Sequence, residues 1–138
     1  MSTQTELIAA AIVSKLTTAG LTVRTSSDRP WSYEDMPAVL VDVGAERPQP
    51  VVGGTGGYIY WDLDVTLWIV AMGDSPKLAP EATRQTAHAA LYADRTLGGK
   101  AVDITASQVS RQIDNDNPAQ GITQATYHII YRIGEATV

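Results

Sequence analysis

Between residues 58 and 71, apolar side chains occupy every second position: Ile59, Trp61, Leu63, Val65, Leu67, Ile69 and Ala71. The intervening positions, Tyr58, Tyr60, Asp62, Asp64, Thr66, Trp68 and Val70, are mixed. Successive strand side chains point to opposite faces, so the stretch predicts a long strand with one core face. At about 3.3 Å per residue it reaches roughly 45 Å, against ~17–20 Å for an ordinary strand. A small domain cannot cover that length. One end is expected to bend, or to project where a neighbour can use it.

The remaining pattern alternates between periods of two and of three to four. Leu7, Ile8, Ala11, Ile12, Leu16 and Ala19 form one stripe and predict a helix over residues 3–19. Thr3 and Glu6 fit a capping box at its start, and Gly20 followed by Leu21 fits its end. A short strand is expected near residues 21–25 and a loop over 26–37, with Trp31, Tyr33 and Met36 in it. Val39, Val41 and Val43 predict a second strand over residues 38–43. The glycine- and proline-rich residues 44–57 read as a flexible connection to the long strand.

A second helix is expected over residues 79–94, with an inward face of Ala82, Thr86, Ala89, Ala90 and Ala93. Val102 and Ile104 read as a short connector, and residues 107–113 as a polar edge strand. Asp114 to Gly121 reads as a turn, and residues 122–133 as the last strand. There Thr123, Ala125, Tyr127, Ile129, Tyr131 and Ile133 share one face, opposite Gln124, Thr126, His128 and Arg132. This order predicts an α+β fold: a mixed, mainly antiparallel sheet with two helices packed on one face, as a single domain over residues 1–138.

Composition narrows the function classes. The chain has no cysteine, which excludes disulfides and thiolate metal sites. No apolar run is long enough to span a membrane, and no signal peptide is expected. The net charge of −5 makes the chain a poor general grip for phosphate backbones.

Candidate chemistry is sparse. Gly53-Gly54-Thr55-Gly56-Gly57 leads into a strand, whereas phosphate loops lead into a helix and carry Gly-Lys-Ser/Thr. Asp62 and Asp64 share the non-core face of the long strand about 7 Å apart, a spacing open to an acid and base pair but without convergent partners in the sequence. Asp114-Asn115-Asp116 starts like a calcium loop, yet Pro118, Ala119 and Ala125 stand where that frame needs an oxygen ligand, glycine and glutamate. His88 and His128 show neither metal nor triad spacing. No catalytic residue, cofactor or metal ligand is therefore assigned, and the chain is not expected to be an enzyme.

Three segments stand out together: Met36-Pro37-Ala38-Val39-Leu40-Val41 with Gly44-Ala45-Glu46; Trp61-Asp62-Leu63-Asp64-Val65; and Ser110-Arg111 through Asp114 and Asp116 to Ala125-Thr126-Tyr127-His128-Ile129-Ile130-Tyr131. In conjunction they resemble the tail terminator family of long-tailed bacteriophages, the minor tail protein U type. Their order and spacing hold over nearly the whole chain. The chain departs from the family where Gln120-Gly121 replaces an aromatic residue, and where the Arg-Asp run is diluted to Arg111-Gln112-Ile113-Asp114.

The resemblance implies a virion structural protein of the tail's head-proximal end, assembled in the host cytoplasm. It implies a ring, usually a homohexamer, that caps the tail tube and stops its polymerisation. The implied partners are further copies of itself, the tail tube protein and a head-completion or connector protein, with DNA only as passing cargo. An acidic pore lining would suit that cargo, because it does not hold phosphate. Asp62, Asp64, Arg111, Asp114, Asp116, Trp31 and Tyr33 are the assembly candidates. Repeated carboxylates in a ring predict that salt or a weakly bound divalent cation promotes assembly. Two other readings remain open: a related tail-tube or head-completion protein, and a small hydrolase or ligand-binding domain.

Overall fold

A computed structural model describes residues 3–24, 37–48, 58–113 and 120–134. The first helix, α1 (Gln4–Thr18), begins where Thr3 Oγ1 accepts from Glu6 N–H at 3.1 Å. It ends in a Schellman motif. Gly20 takes φ +91°, its N–H donates to Thr17 C=O, and Leu21 N–H donates to Leu16 C=O. That turn reverses the chain into β1 (Thr22–Arg24). The other elements are β2 (Ala38–Pro48), β3 (Tyr58–Met72), α2 (Glu81–Tyr92), β4 (Asp103–Ile113) and β5 (Gln120–Gly134).

The five strands form one sheet in the order β1-β2-β3-β5-β4. Only β1 and β2 are parallel; the other neighbours are antiparallel. The long strand lies at the centre. It pairs with β5 along its whole length, from Tyr58 opposite Gly134 to Met72 opposite Gln120. Odd positions of β3 and β5 therefore share one face, and Leu63, Val65, Leu67, Ile69, Ala125, Tyr127, Ile129 and Tyr131 are buried there. Ile8, Ile12 and Leu16 of α1 and Ala87 and Leu91 of α2 join the same cluster, so both helices cover one face, as expected. Each Val, Leu or Ile side chain among them contributes roughly 1.5–3 kcal/mol through burial.

Four expectations need correction. Residues 44–48 belong to β2, not to a connecting loop: past a bulge between Val43 and Glu46, the strand goes on pairing with β3 as far as Pro48 opposite Trp61. The edge strand β4 starts at Asp103, so Ile104 is a fully buried strand residue and not a connector. The last strand starts at Gln120, so Gln120 and Gly121 are strand and not turn. The inward face of α2 is Thr83, Ala87 and Leu91. Of the expected face, Ala82, Thr86, Ala89 and Ala93 are exposed and Ala90 is half-buried. The helix is rotated so that its largest aliphatic side chain, Leu91, reaches the core. Thr86 Oγ1 donates back to Ala82 C=O on the solvent side.

Two turns fix the ends of α2. After α2, Asp94 receives Thr96 N–H and O–H on one oxygen and Gly98 N–H on the other, with Lys15 Nζ of α1 at 3.3 Å. These bonds, led by the Thr96 hydroxyl, hold the Asp94 carboxyl down at about 2. Before α2, Ser75 C=O accepts from Leu78 and Ala79 N–H, and buried Pro80 opens the helix. This turn lies against β5 so closely that a Cβ on Gly121 would stand 1.7 Å from Pro76 O.

Candidate functional site

The face of the sheet away from the helices is divided along its length. At one end Ala38, Leu40, Val70 and Ile122 are buried. At the other end the alternation that buries odd positions of β3 and β5 sets Asp62, Asp64 and His128 side by side. Asp64 stands directly opposite His128 in the β3–β5 pairing, and Asp62 stands opposite Arg47 in the β2–β3 pairing. Strand pleat and register thus bring four ionisable groups from three strands together.

Their geometry is tight. His128 Nδ1 lies 2.6 Å from Asp64 Oδ1 and 3.5 Å from Asp62 Oδ1. Arg47 Nη2 donates to Asp64 Oδ2 at 3.1 Å. His128 Nδ1 and the two Oδ1 atoms are buried and make no directed hydrogen bond. The short contact is therefore an ion pair of poor angle, attractive when the imidazole is protonated. The same three atoms lie within 4.8 Å of one another, and one imidazole with two carboxylates is a donor set that borderline divalent ions accept. Around an ion at ~2.1 Å, ligand atoms at a right angle stand about 3.0 Å apart, so the 2.6 Å approach is that of groups closed on each other. The neighbouring hydroxyls of Thr66 and Thr126 pair with each other at 3.3 Å. The cluster as built bridges β2, β3 and β5.

A second polar group lies on the helix side. Glu81, at the start of α2, is shared by Arg84 on its own helix and by Arg111 of β4, whose Nη2 is 3.1 Å away. The Arg84 hydrogen bonds, with help from Arg111, lower the Glu81 carboxyl to about 2 and raise the Arg84 guanidinium. Farther along, His88 Nδ1 sits 3.0 Å from Tyr127 Oη, and its ring lies 4.1 Å from that of Tyr92. Burial pushes the Tyr127 phenol up to about 12. Tyr92 Oη accepts from Ala106 N–H of β4, and Arg95 covers the Tyr92 ring. Near the start of α1, Tyr131 O–H donates to Glu46 at 2.6 Å and Thr5 O–H donates to the same oxygen. Burial likewise pushes the Tyr131 phenol up to about 12.

Of the residues expected at an assembly surface, Asp62 and Asp64 fall together, three-quarters covered by neighbours. Arg111 does not join them: it lies on the helix face of the sheet, in register with buried Thr123. Trp31, Tyr33, Asp114 and Asp116 lie outside the described residues, as do most of the loop expected over 26–37 and residues 49–57. Sequence reasoning missed Arg47 because it assigned that residue to a loop. It also missed the link between His128 and the carboxylates, although all three occupy even positions on strands whose odd positions form the core.

Among the described residues no helix is long and apolar enough to cross a membrane. The chain matches no protein-family model, and no curated protein matches it significantly.

Proposed function

We propose that this chain is a tail terminator: a virion protein that forms a ring on the finished tail tube of a long-tailed bacteriophage, stops tube growth and offers the head-joining surface. The observation that carries the reading is a sheet larger than the layer that covers it. β3 and β5 pair along their full length, while β4 from Thr105 to Ile113 and β2 from Asp42 to Pro48 are exposed. A small domain whose described strands leave both margins of the sheet exposed is suited to being flanked by neighbours.

The sequence resemblance supports the same reading. Its described segments fall on β2, on β3 and on the β4–β5 pair, the strands that form the body of the sheet. In this reading the ring sits between the tail tube protein and a head-completion protein, and DNA passes through its hole. The net charge of −5 suits such a passage, because an acidic lining repels phosphate. Asp62, Asp64 and Arg111 are the described residues offered to assembly, and the protein performs no chemical step.

Solution mass tests the reading. Six copies of the 14.8 kDa chain, about 89 kDa, are expected in sedimentation at raised protein concentration or salt. A monomer at every concentration and ionic strength contradicts it.

A further inference from the structure

The ring reading leaves open which surfaces meet, and the sheet's two margins answer that question. β4 ends the sheet on one side, and its residues from Thr105 to Ile113 are exposed whichever face they point to. On the other side β1 covers only Ala38, Leu40 and Val39 between them, and no described strand pairs with the outer edge of β2 beyond Leu40. Unpaired edges of this kind are templates for another strand, and proteins that need to stay apart usually guard them with charge, proline or short length. Between Ile104 and Ser110, β4 carries no charge at all. Its two charged residues, Asp103 and Arg111, are held by Arg95 and Glu81.

We propose that the ring closes by antiparallel pairing of the outer edge of β4 in one copy with the outer edge of β2, residues 41–48, in the next. This inference rests on the ring reading and specifies its interface. Direction supports it. β2 is antiparallel to β3, β3 to β5 and β5 to β4, so β2 and β4 run in opposite senses. Rotation about an axis along the strands therefore sets β4 beside the neighbour's β2 in the antiparallel sense, the slightly stronger pairing. The two edges differ, so the contact is head-to-tail, the kind that generates rings.

Side chains on the two margins match as well. Val109 and Ile113 on β4 and Val43 on β2 are large apolar residues, each more than a third exposed, and all three lie on the helix face. On that face the margins carry opposite charge. At β4, one carboxylate (Glu81) is shared by two guanidinium groups (Arg84 and Arg111), leaving net positive charge. At β2, Glu46 accepts from the neutral hydroxyls of Tyr131 and Thr5 and meets no cation among the described residues, while Arg47 is engaged by Asp64.

The chain's lack of cysteine makes the test clean. Val43→Cys is combined in turn with Ala106→Cys, Val109→Cys and Ile113→Cys, which sample the helix face of β4 at three levels. A disulfide forms only where the Cα atoms approach to roughly 4.4–6.8 Å. Under oxidation, at least one double variant is expected to give a covalent ladder that ends at the ring, while each single variant stays monomeric on a non-reducing gel. Val109→Lys is expected to abolish assembly while leaving the monomer's circular dichroism unchanged. A covalent dimer from Val109→Cys or Ile113→Cys alone means that β4 pairs with β4, which overturns the inference. So does a ring by solution mass that yields no ladder in any double variant, or a Val109→Lys protein that assembles like wild type; both leave the ring reading standing. Absence of both ring and ladder overturns the two together.

Discussion

Replacing Gly121 with alanine probes how the turn before α2 seats on the sheet. A Cβ at this position would lie 1.7 Å from Pro76 O and 2.6 Å from Pro76 C, both backbone atoms. Relieving that overlap needs a shift of about 1.3 Å or more, because a Cβ essentially never sits within 3.0 Å of another heavy atom. Gly121 cannot retreat, since it is paired with Ala71 of β3 on one side and with Ile113 of β4 on the other. The turn must move instead. That strains the Ala79 N–H to Pro76 C=O bond of 3.3 Å and lifts buried Pro80, the residue from which α2 starts. Overpacking of this kind costs about 1–3 kcal/mol, and the rigid backbone obstacle puts Gly121→Ala at about 3. At roughly 4 °C per kcal/mol for a domain of this size, the melting temperature falls by about 12 °C. Urea unfolding followed by tryptophan fluorescence reads the loss directly. A cost below about 0.5 kcal/mol would mean that the turn does not lie against β5 as described.

Leu63→Ala, at a fully buried mid-strand position, is expected to cost about 2–5 kcal/mol in chemical unfolding; a loss below about 1 kcal/mol would reverse the face assigned to β3. Replacing Asp62 and Asp64 together with Asn is expected to leave the monomer folded and to weaken the dependence of assembly on salt and magnesium. Sedimentation of the double variant and wild type across a salt series checks this, and identical behaviour removes both carboxylates from assembly. Glu81 has a folded value of about 2 against an ordinary 4.5, so its stabilisation is complete above about pH 4.5 and is lost as pH falls toward 2. Glu81→Gln is expected to flatten the fall of the urea midpoint over that window, and an unchanged slope would refute the assignment.

The fold was legible where one face of an element is uniformly apolar. The alternation of Leu63, Val65, Leu67 and Ile69 set the orientation of β3, and the Thr3 and Gly20 signals set the ends of α1. It was not legible where pairing overrides local chemistry. Gly44-Ala45-Glu46-Arg47-Pro48 has loop composition, but β3 is long enough to template it as strand past a bulge. For α2, a face of small residues pointed one way and Leu91 the other, and burial of the larger side chain decided the rotation. The polar cluster depended on register. Asp62 and Asp64 were visible as a pair, whereas His128 and Arg47 join them only through pairings that link residues far apart in sequence. Arg111 shows the converse: its charge drew attention to it, and the register places it on the opposite face.

Negative-stain imaging of the purified chain, at the salt concentration where sedimentation shows the largest species, tests the central claim most directly. The account predicts closed rings of uniform size with a central hole and, by the family resemblance, sixfold averages. Particles of monomer size, twofold dimers or open filaments at every condition would contradict it.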